Sequence, residues 1–362
     1  MPSLRADTRH SRLLRLVPVV PLLVATAAAG AQGPERRAVP GPAVAIYNLA
    51  GEVRLEGGGG SDVVVEVRRG GADASRLRVE TGERRDWRTL RVIYPSDRIV
   101  YPRLAGRGSR TTLRVDDEGY FNDSGSSGWG DRDRVEIRGS GSGLEAWADL
   151  RIVVPRGKRV ALHLAAGEAV VSNVDGDIMV DVSAATITTE RTRGRLSLDT
   201  GSGSVSVADA EGSVNLDTGS GSVSVSNVRG DELRMDTGSG SITARNVEVR
   251  TLSADVGSGG IRLTGVKASR VSLDTGSGST DVELLTDVED VNVDAGSGPV
   301  SLRLPAGVGA EVEIETGSGG IETDFPIQVT RWERNYLRGR LGDGRGRIRI
   351  DSGSGRVRLL RG

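Results

Sequence analysis

Cysteine is absent from all 362 residues. Disulfide staples, thiolate metal sites and lipid attachment through an N-terminal cysteine are therefore excluded. Aromatic residues make up 3 % of the chain and histidine occurs twice, so no His pair at metal spacing can be found, nor any nucleophile elbow or phosphate loop opening a helix. Long apolar runs are missing beyond the first 30 residues, and none approaches the roughly 20 residues of a membrane-spanning helix. Lysine is nearly absent too: among 48 basic residues only Lys158 and Lys267 are not arginine.

The N-terminus reads as an export signal. Arg5, Arg9, Arg12 and Arg15 precede an apolar stretch from Leu16 to Ala28, which contains Pro18 and Pro21 and is too short to span a bilayer. Ala29-Gly30-Ala31 then supplies the small-x-small cleavage pattern. A signal peptide over 1–31 is expected. The mature protein is then periplasmic, at the cell surface or secreted, without a transmembrane segment. Its charge is unevenly spread. Residues 160–324 carry 11 basic against 26 acidic side chains, and residues 325–362 carry 10 against 3.

Glycine is abundant, at 52 residues, and much of it is periodic. An acidic residue, a small residue and Gly-Ser-Gly recur at Asp199, Asp217, Asp236, Asp255, Asp274, Asp294, Glu315 and Asp351, at spacings of 18, 19, 19, 19, 20, 21 and 36. The last spacing is about two periods and suggests one diverged coil between Phe325 and Leu341. Within one unit, Val214, Leu216 and Thr218 alternate with polar residues as a strand with one buried face. Gly219-Ser220-Gly221 turns the chain, Val223 and Val225 start a second strand, and Asn227-Val228-Arg229-Gly230 makes another corner. Short strands repeating every 18–20 residues predict an all-β, single-stranded β-solenoid, β-helix-like, with one coil per repeat. A compact barrel is the rival, but barrels do not need identical corners at a fixed period. Residues 148–324 hold no Phe, Tyr or Trp, as suits a thin core of stacked coils.

Four segments follow. Beyond the signal (1–31) lies an N-terminal β region (32–159), then regular solenoid coils (160–324), then C-terminal coils with a basic cap (325–362). The N-terminal region has strand-like runs at Ala43–Tyr47, Val63–Val67 and Leu90–Tyr94. Its Gly-, Arg- and Asp-rich stretch at about 96–143 reads as a long, partly mobile excursion. Trp87, Tyr94, Tyr101, Tyr120, Phe121, Trp129 and Trp147 upstream, with Phe325, Trp332 and Tyr336 downstream, sit where a solenoid needs caps on its open edges.

The Asp-Thr-Gly-Ser-Gly-Ser repeats, the N-terminal signal and the closing Leu341-Gly342-Asp343-Gly344 with Arg347-Ile348-Arg349-Ile350-Asp351-Ser352-Gly353-Ser354-Gly355 resemble the bacterial putative-adhesin family. That is a domain of unknown function in exported β-strand-repeat proteins. The resemblance spans roughly 43–361 and is strongest from Val160 onward. It implies an adhesin-like envelope or surface scaffold and brings no catalytic residues with it.

Leu198–Ser202, and likewise residues 216–220 and 273–277, spell an aspartic-protease signature. Such an enzyme needs two loops facing each other so that paired carboxylates share a proton. Loops recurring every 19 residues would stack along one edge instead. His163, between Leu162 and Leu164, should point to solvent if those leucines point inward. The remaining constellation is the column Asp199, Asp217, Asp236, Asp255, Asp274 and Asp294. Either each carboxylate caps its own Gly-Ser-Gly corner, or the column holds a row of cations. At the basic end, Arg345, Arg347, Arg356 and Arg358 are candidates for binding an anionic surface. The expected function is a non-catalytic scaffold without cofactors, binding an envelope or surface partner, anionic polysaccharide or lipid headgroups, and not nucleic acid. An ion- or polysaccharide-binding module stays open as the alternative. So does a carbohydrate-active β-helix enzyme working with Asp, Arg and Lys.

Overall fold

The computed structural model describes residues 34–104, 109–121 and 132–362; the expected signal peptide over 1–31 and Trp129 lie outside the described residues. From Lys158 onward the chain winds as parallel coils. The strands Lys158–Ser172, Gly176–Ser202, Val205–Ser220, Val223–Ser239, Ile242–Ser258 and Ile261–Ser277 each pair with the next. The fold is the β-solenoid that the period implies. Val, Leu and Ile at alternate positions face inward and are buried, as Val205, Val207, Val214 and Leu216 show.

The strands are longer than the sequence pattern suggests, because the second corner does not interrupt pairing. Asp209, Asn227 and Asn246, each inside a strand, sit near φ +55°, a left-handed conformation that Asn and Asp tolerate better than other side chains. One such residue bends the strand while its neighbours stay in register, as in Ala208↔Ser226 and Ala210↔Val228. The side-chain amides also bond along the column. Asn227 donates to Asp209 Oδ1 at 2.9 Å, and Asn246 to Asn227 Oδ1 at 3.2 Å. The change from an 18- to a 19-residue coil is absorbed by an irregularity between Glu211 and Val214, so the following strand and its Gly-Ser-Gly corner keep their places.

Gly-Ser-Gly corners stack directly upon one another. Gly221 has φ +140°, and a Cβ there would collide with the Gly203 carbonyl oxygen of the preceding coil. Gly219 is not left-handed, contrary to a simple turn reading. Its constraint is proximity, since a Cβ would lie 2.6 Å from the Gly201 carbonyl oxygen.

Both ends depart from the regular winding. The 36-residue gap is not a diverged coil. Gln328–Glu333 and Tyr336–Leu341 form an antiparallel hairpin whose second strand pairs with Ala310–Thr316. The chain then returns to insert its last strands between two earlier coils. Gly346–Ser352 lies between Asp290–Ser297 and Ala310–Thr316, and Val357–Arg361 lies between Val300–Leu304 and Ile321–Thr323. At the other end, Ala43–Gly58 covers the coil Lys158–Ser172 in parallel. Its two halves pair in turn with Trp87–Ile93 and Trp147–Pro155.

The stretch around 96–143 is not simply a loop. Arg98–Val100, Arg110–Asp116, Arg132–Arg138 and Leu144–Glu145 form a separate four-stranded sheet. Ile99, Leu113, Val115, Val135 and Ile137 are buried on one of its faces. Tyr101, Tyr120 and Phe121 are buried as well and join the same core cluster.

Candidate functional site

The register places the predicted acidic residues in one column. Asp199, Asp217, Asp236, Asp255, Asp274 and Asp294 are successive lateral partners. Asp294 is followed by Asp351 and then Glu315, in the spatial order set by the inserted strand. Asp181 neighbours Asp199 electrostatically at the other end. The three protease-like Asp-Thr-Gly segments therefore lie along one edge and do not face each other.

These side chains point outward, while the next residue in each coil points in. Thr200, Thr218 and Thr237 are fully buried, and it is their hydroxyls that tie the corners. Thr218 Oγ1 donates to the Gly203 carbonyl at 3.1 Å, Thr237 Oγ1 to that of Gly221 at 2.9 Å, and Thr200 Oγ1 to that of Ala185 at 3.1 Å. Sequence alternation identifies the threonines as inward but does not reveal that their hydroxyls secure the corner. Of the two roles open to the carboxylates, corner capping or a cation row, the first falls to the threonines instead.

Without such donors the column is electrostatically loaded. Burial, then the charges of Asp181 and Asp217, raises the Asp199 pKa above the usual carboxylate value. Burial and then Asp255 and Asp217 do the same for Asp236, opposed by Arg234. Burial and then Asp255 and Asp294 raise Asp274. Stacked like charges about 4.8 Å apart repel by roughly 1 kcal/mol per neighbour in bulk water. Among the described residues no group of three or more His, Asp or Glu side chains gathers in a way that could hold a metal ion.

Beside the acidic column runs a second outward column of mostly short polar residues: Ser197, Asn215, Arg234, Ser253, Ser272 and Asn292. On the other side, Ser202, Ser220, Ser239, Ser258, Ser277 and Ser297 line the corner. Together the columns make a ribbed polar face with few bulky side chains.

A different column balances its charge. Asp175, Arg193, Glu211, Arg229, Glu248 and Lys267 alternate in sign from coil to coil. Arg193 donates to Glu211 at 2.8 Å, and Lys267 reaches Glu248 at 3.4 Å. The members nearest the N-terminus line a groove of about 520 Å³ with Asn173, Arg191 and Asp209.

His163 corrects the reading from alternation. Its coil direction is outward as expected, in the same column as Asp181. Yet it is only 4 % exposed, because Tyr47 stacks on it at 4.5 Å and Phe121 meets it edge-on at 6.4 Å. Its Nδ1 lies 3.3 Å from Asp181 Oδ2. Some upstream aromatics thus roof a side of the first coils, rather than only closing an end.

The four C-terminal arginines do not converge. Arg345 and Arg347 precede or begin the strand before the Gly353–Gly355 corner, and Arg356 and Arg358 follow that corner. Arg345 pairs with Asp343 at 2.5 Å, while Arg356 and Arg358 share Glu322 at 3.0 and 3.2 Å.

Comparison with known proteins gives three results. No curated protein matches the chain. Among solved structures, a putative cell adhesion protein from Clostridium sporogenes ATCC 15579 aligns with 91 % of this chain and 100 % of its own, at 9 % identity and a TM-score of 0.23. That likeness is too slight to support any inference. Residues 148–360 match the model of the Toastrack DUF4097 family. The match takes in the Gly-Ser-Gly coils, the inserted C-terminal strands and the hairpin between them, and agrees with the resemblance carried by the Asp-Thr-Gly-Ser-Gly-Ser repeats. This chain therefore belongs to the Toastrack DUF4097 family, whose function is not assigned.

Proposed function

We propose that this protein is an exported, non-catalytic scaffold of the cell envelope or cell surface that binds a partner along its ribbed polar face. The observation that carries this reading is the unbroken register of Asp199 through Asp294, flanked by columns of mostly short polar side chains. Stacked like charges cost stability, and the charge-alternating column on the same coils is an arrangement that avoids this cost. A long acidic strip with margins of mostly neutral, short polar side chains suits an extended partner that meets several coils at once. Many weak contacts then add by multivalency.

Two measurements test the proposal. Fractionation of the native host should find the protein in the periplasm, on the surface or in the medium. Recovery in the cytoplasm would end the export part of the reading. Purified protein should also bind isolated envelope from that host, and Asp217→Asn, Asp236→Asn, Asp255→Asn and Asp274→Asn combined should weaken this severalfold. Equal binding by the two proteins would remove the acidic face from the function.

A further inference from the structure

The side sheet carries a second charged surface, opposite in sign to the acidic strip. Its strands Arg98–Val100, Arg110–Asp116 and Arg132–Arg138 bury Ile99, Leu113, Val135 and Ile137 on one face. Alternation puts Arg98, Arg110, Thr112, Arg134, Glu136 and Arg138 on the other, where they line a cleft of about 480 Å³ together with Asp97. That volume falls in the usual range for small-ligand sites.

The cross-strand pairing is unfavourable for stability alone. Arg110 is directly opposite Arg138, and Arg114 directly opposite Arg134; like charges in such positions destabilise a sheet. Only Arg138 has a carboxylate partner, Glu136 at 2.7 Å. Among the described residues no carboxylate lies within ion-pairing distance of Arg98, Arg110, Arg114 or Arg134. The Arg138 hydrogen bond, assisted by the charges of Arg138, Arg110 and Arg98, holds Glu136 below its usual pKa and therefore ionised. The cleft thus combines unpaired guanidinium groups with a fixed carboxylate and the Thr112 hydroxyl.

We propose that this cleft binds an acidic polysaccharide. Guanidinium groups pair with carboxylate, sulfate or phosphate substituents through charge-assisted hydrogen bonds. Glu136, Asp97 and Thr112 accept hydrogen bonds from sugar hydroxyls between those charges. A bilayer is the poorer fit, because every lining residue is polar or charged and none would insert among acyl chains. Single-stranded nucleic acid is also disfavoured, since no aromatic side chain lines the cleft for base stacking. The sheet precedes the residues matched by the family model, so the site is an addition to the solenoid and does not depend on its acidic face.

The test uses the full chain at low ionic strength against polygalacturonate, dextran sulfate, neutral dextran, and vesicles of equal parts phosphatidylcholine and phosphatidylglycerol. Wild type should bind one or both acidic polymers and neither neutral dextran nor vesicles. The preferred polymer tells carboxylate from sulfate. Arg98→Gln, Arg110→Gln and Arg134→Gln combined should lose about tenfold or more in affinity, as expected for several charge-assisted contacts. A control with Arg345, Arg347, Arg356 and Arg358 changed to Gln should stay within about twofold of wild type, since those groups lie outside the cleft. Matching melting curves for both variants verify folding. Absence of polymer binding by wild type, equal loss in the control, unchanged affinity in the triple variant, or vesicle binding as strong as polymer binding would each overturn the proposal. The acidic-face reading survives any of these results, because it is read from envelope binding by the Asp→Asn variant.

Discussion

Gly240→Ala isolates the energetic role of the stacked corner. Gly240 has φ +133°, a backbone conformation that costs an L residue about 1–3 kcal/mol. A Cβ would also strike the Gly221 carbonyl oxygen. Relief requires the coils to part locally. That stretches the bond from the Gly221 N–H to the Ser239 carbonyl at 2.8 Å and the bond from the Val223 N–H to the Ser241 carbonyl at 3.0 Å, which join the same two coils. At about 1 kcal/mol net for each bond, the expected total is about 3–5 kcal/mol. Two controls separate the contributions. Gly157 is left-handed at φ +73° with open space around it, so Gly157→Ala should lose only the conformational cost, about 1–2 kcal/mol. Gly59 is neither left-handed nor crowded, and Gly59→Ala should lie within about 0.5 kcal/mol of wild type. Urea titrations followed by circular dichroism should order the midpoints Gly59→Ala, Gly157→Ala, Gly240→Ala, from most to least stable. A Gly240→Ala midpoint no lower than that of Gly157→Ala would show that coil contact is not what confines this column to glycine.

The acidic column should leave a signature in the pH dependence. Asp199, Asp236 and Asp274 have raised pKa values in the folded state, so the folded protein holds more protons there than the unfolded chain. Their contribution is most favourable below the unfolded carboxylate pKa and is lost as pH rises through the folded value. Changing all three to Asn should raise the melting temperature more at pH 7 than at pH 4; an equal or reversed effect would contradict the repulsion argument. His163→Ala should destabilise by about 2–4 kcal/mol, as for other buried side chains that leave a cavity, and a change below about 0.5 kcal/mol in urea titration would mean that the aromatic roof is loose. Because the last strands are inserted between two coils, truncation after Gly344 should abolish cooperative melting. Replacing Gln328–Leu341 by a short linker should lower the melting temperature by only a few degrees, since it removes an edge hairpin; the opposite ranking would argue against the insertion.

Much of this architecture is written in local sequence. The Val, Leu and Thr alternation with period two assigns the inner face, the Gly-Ser-Gly recurrence marks one corner, and the Asn-containing tetrapeptide marks the other. Constant spacing from those corners then determines which residues share a column. That is why the acidic ladder is legible from Asp199 to Asp294 without coordinates. Each coil repeats the same local problem and solves it with the same residues, so near-neighbour physics suffices.

What the sequence could not disclose depends on contacts without a repeat. The direction of His163 follows from Leu162 and Leu164, but its burial is decided by Tyr47 and Phe121, which arrive from distant segments. The 36-residue spacing is the same for a diverged coil and for an outer hairpin followed by an inserted strand; only the lateral pairing of Gly346–Ser352 distinguishes them. Likewise the arginines of the side sheet read as a charged, glycine-rich excursion until cross-strand register sets Arg110 opposite Arg138 and Arg114 opposite Arg134. The sequence by itself determined the coil, its corners and its acidic column, because a one-dimensional period encodes them. The tertiary structure alone decided the caps, the roof over His163 and the cationic cleft, because those are made by segments whose meeting no period records.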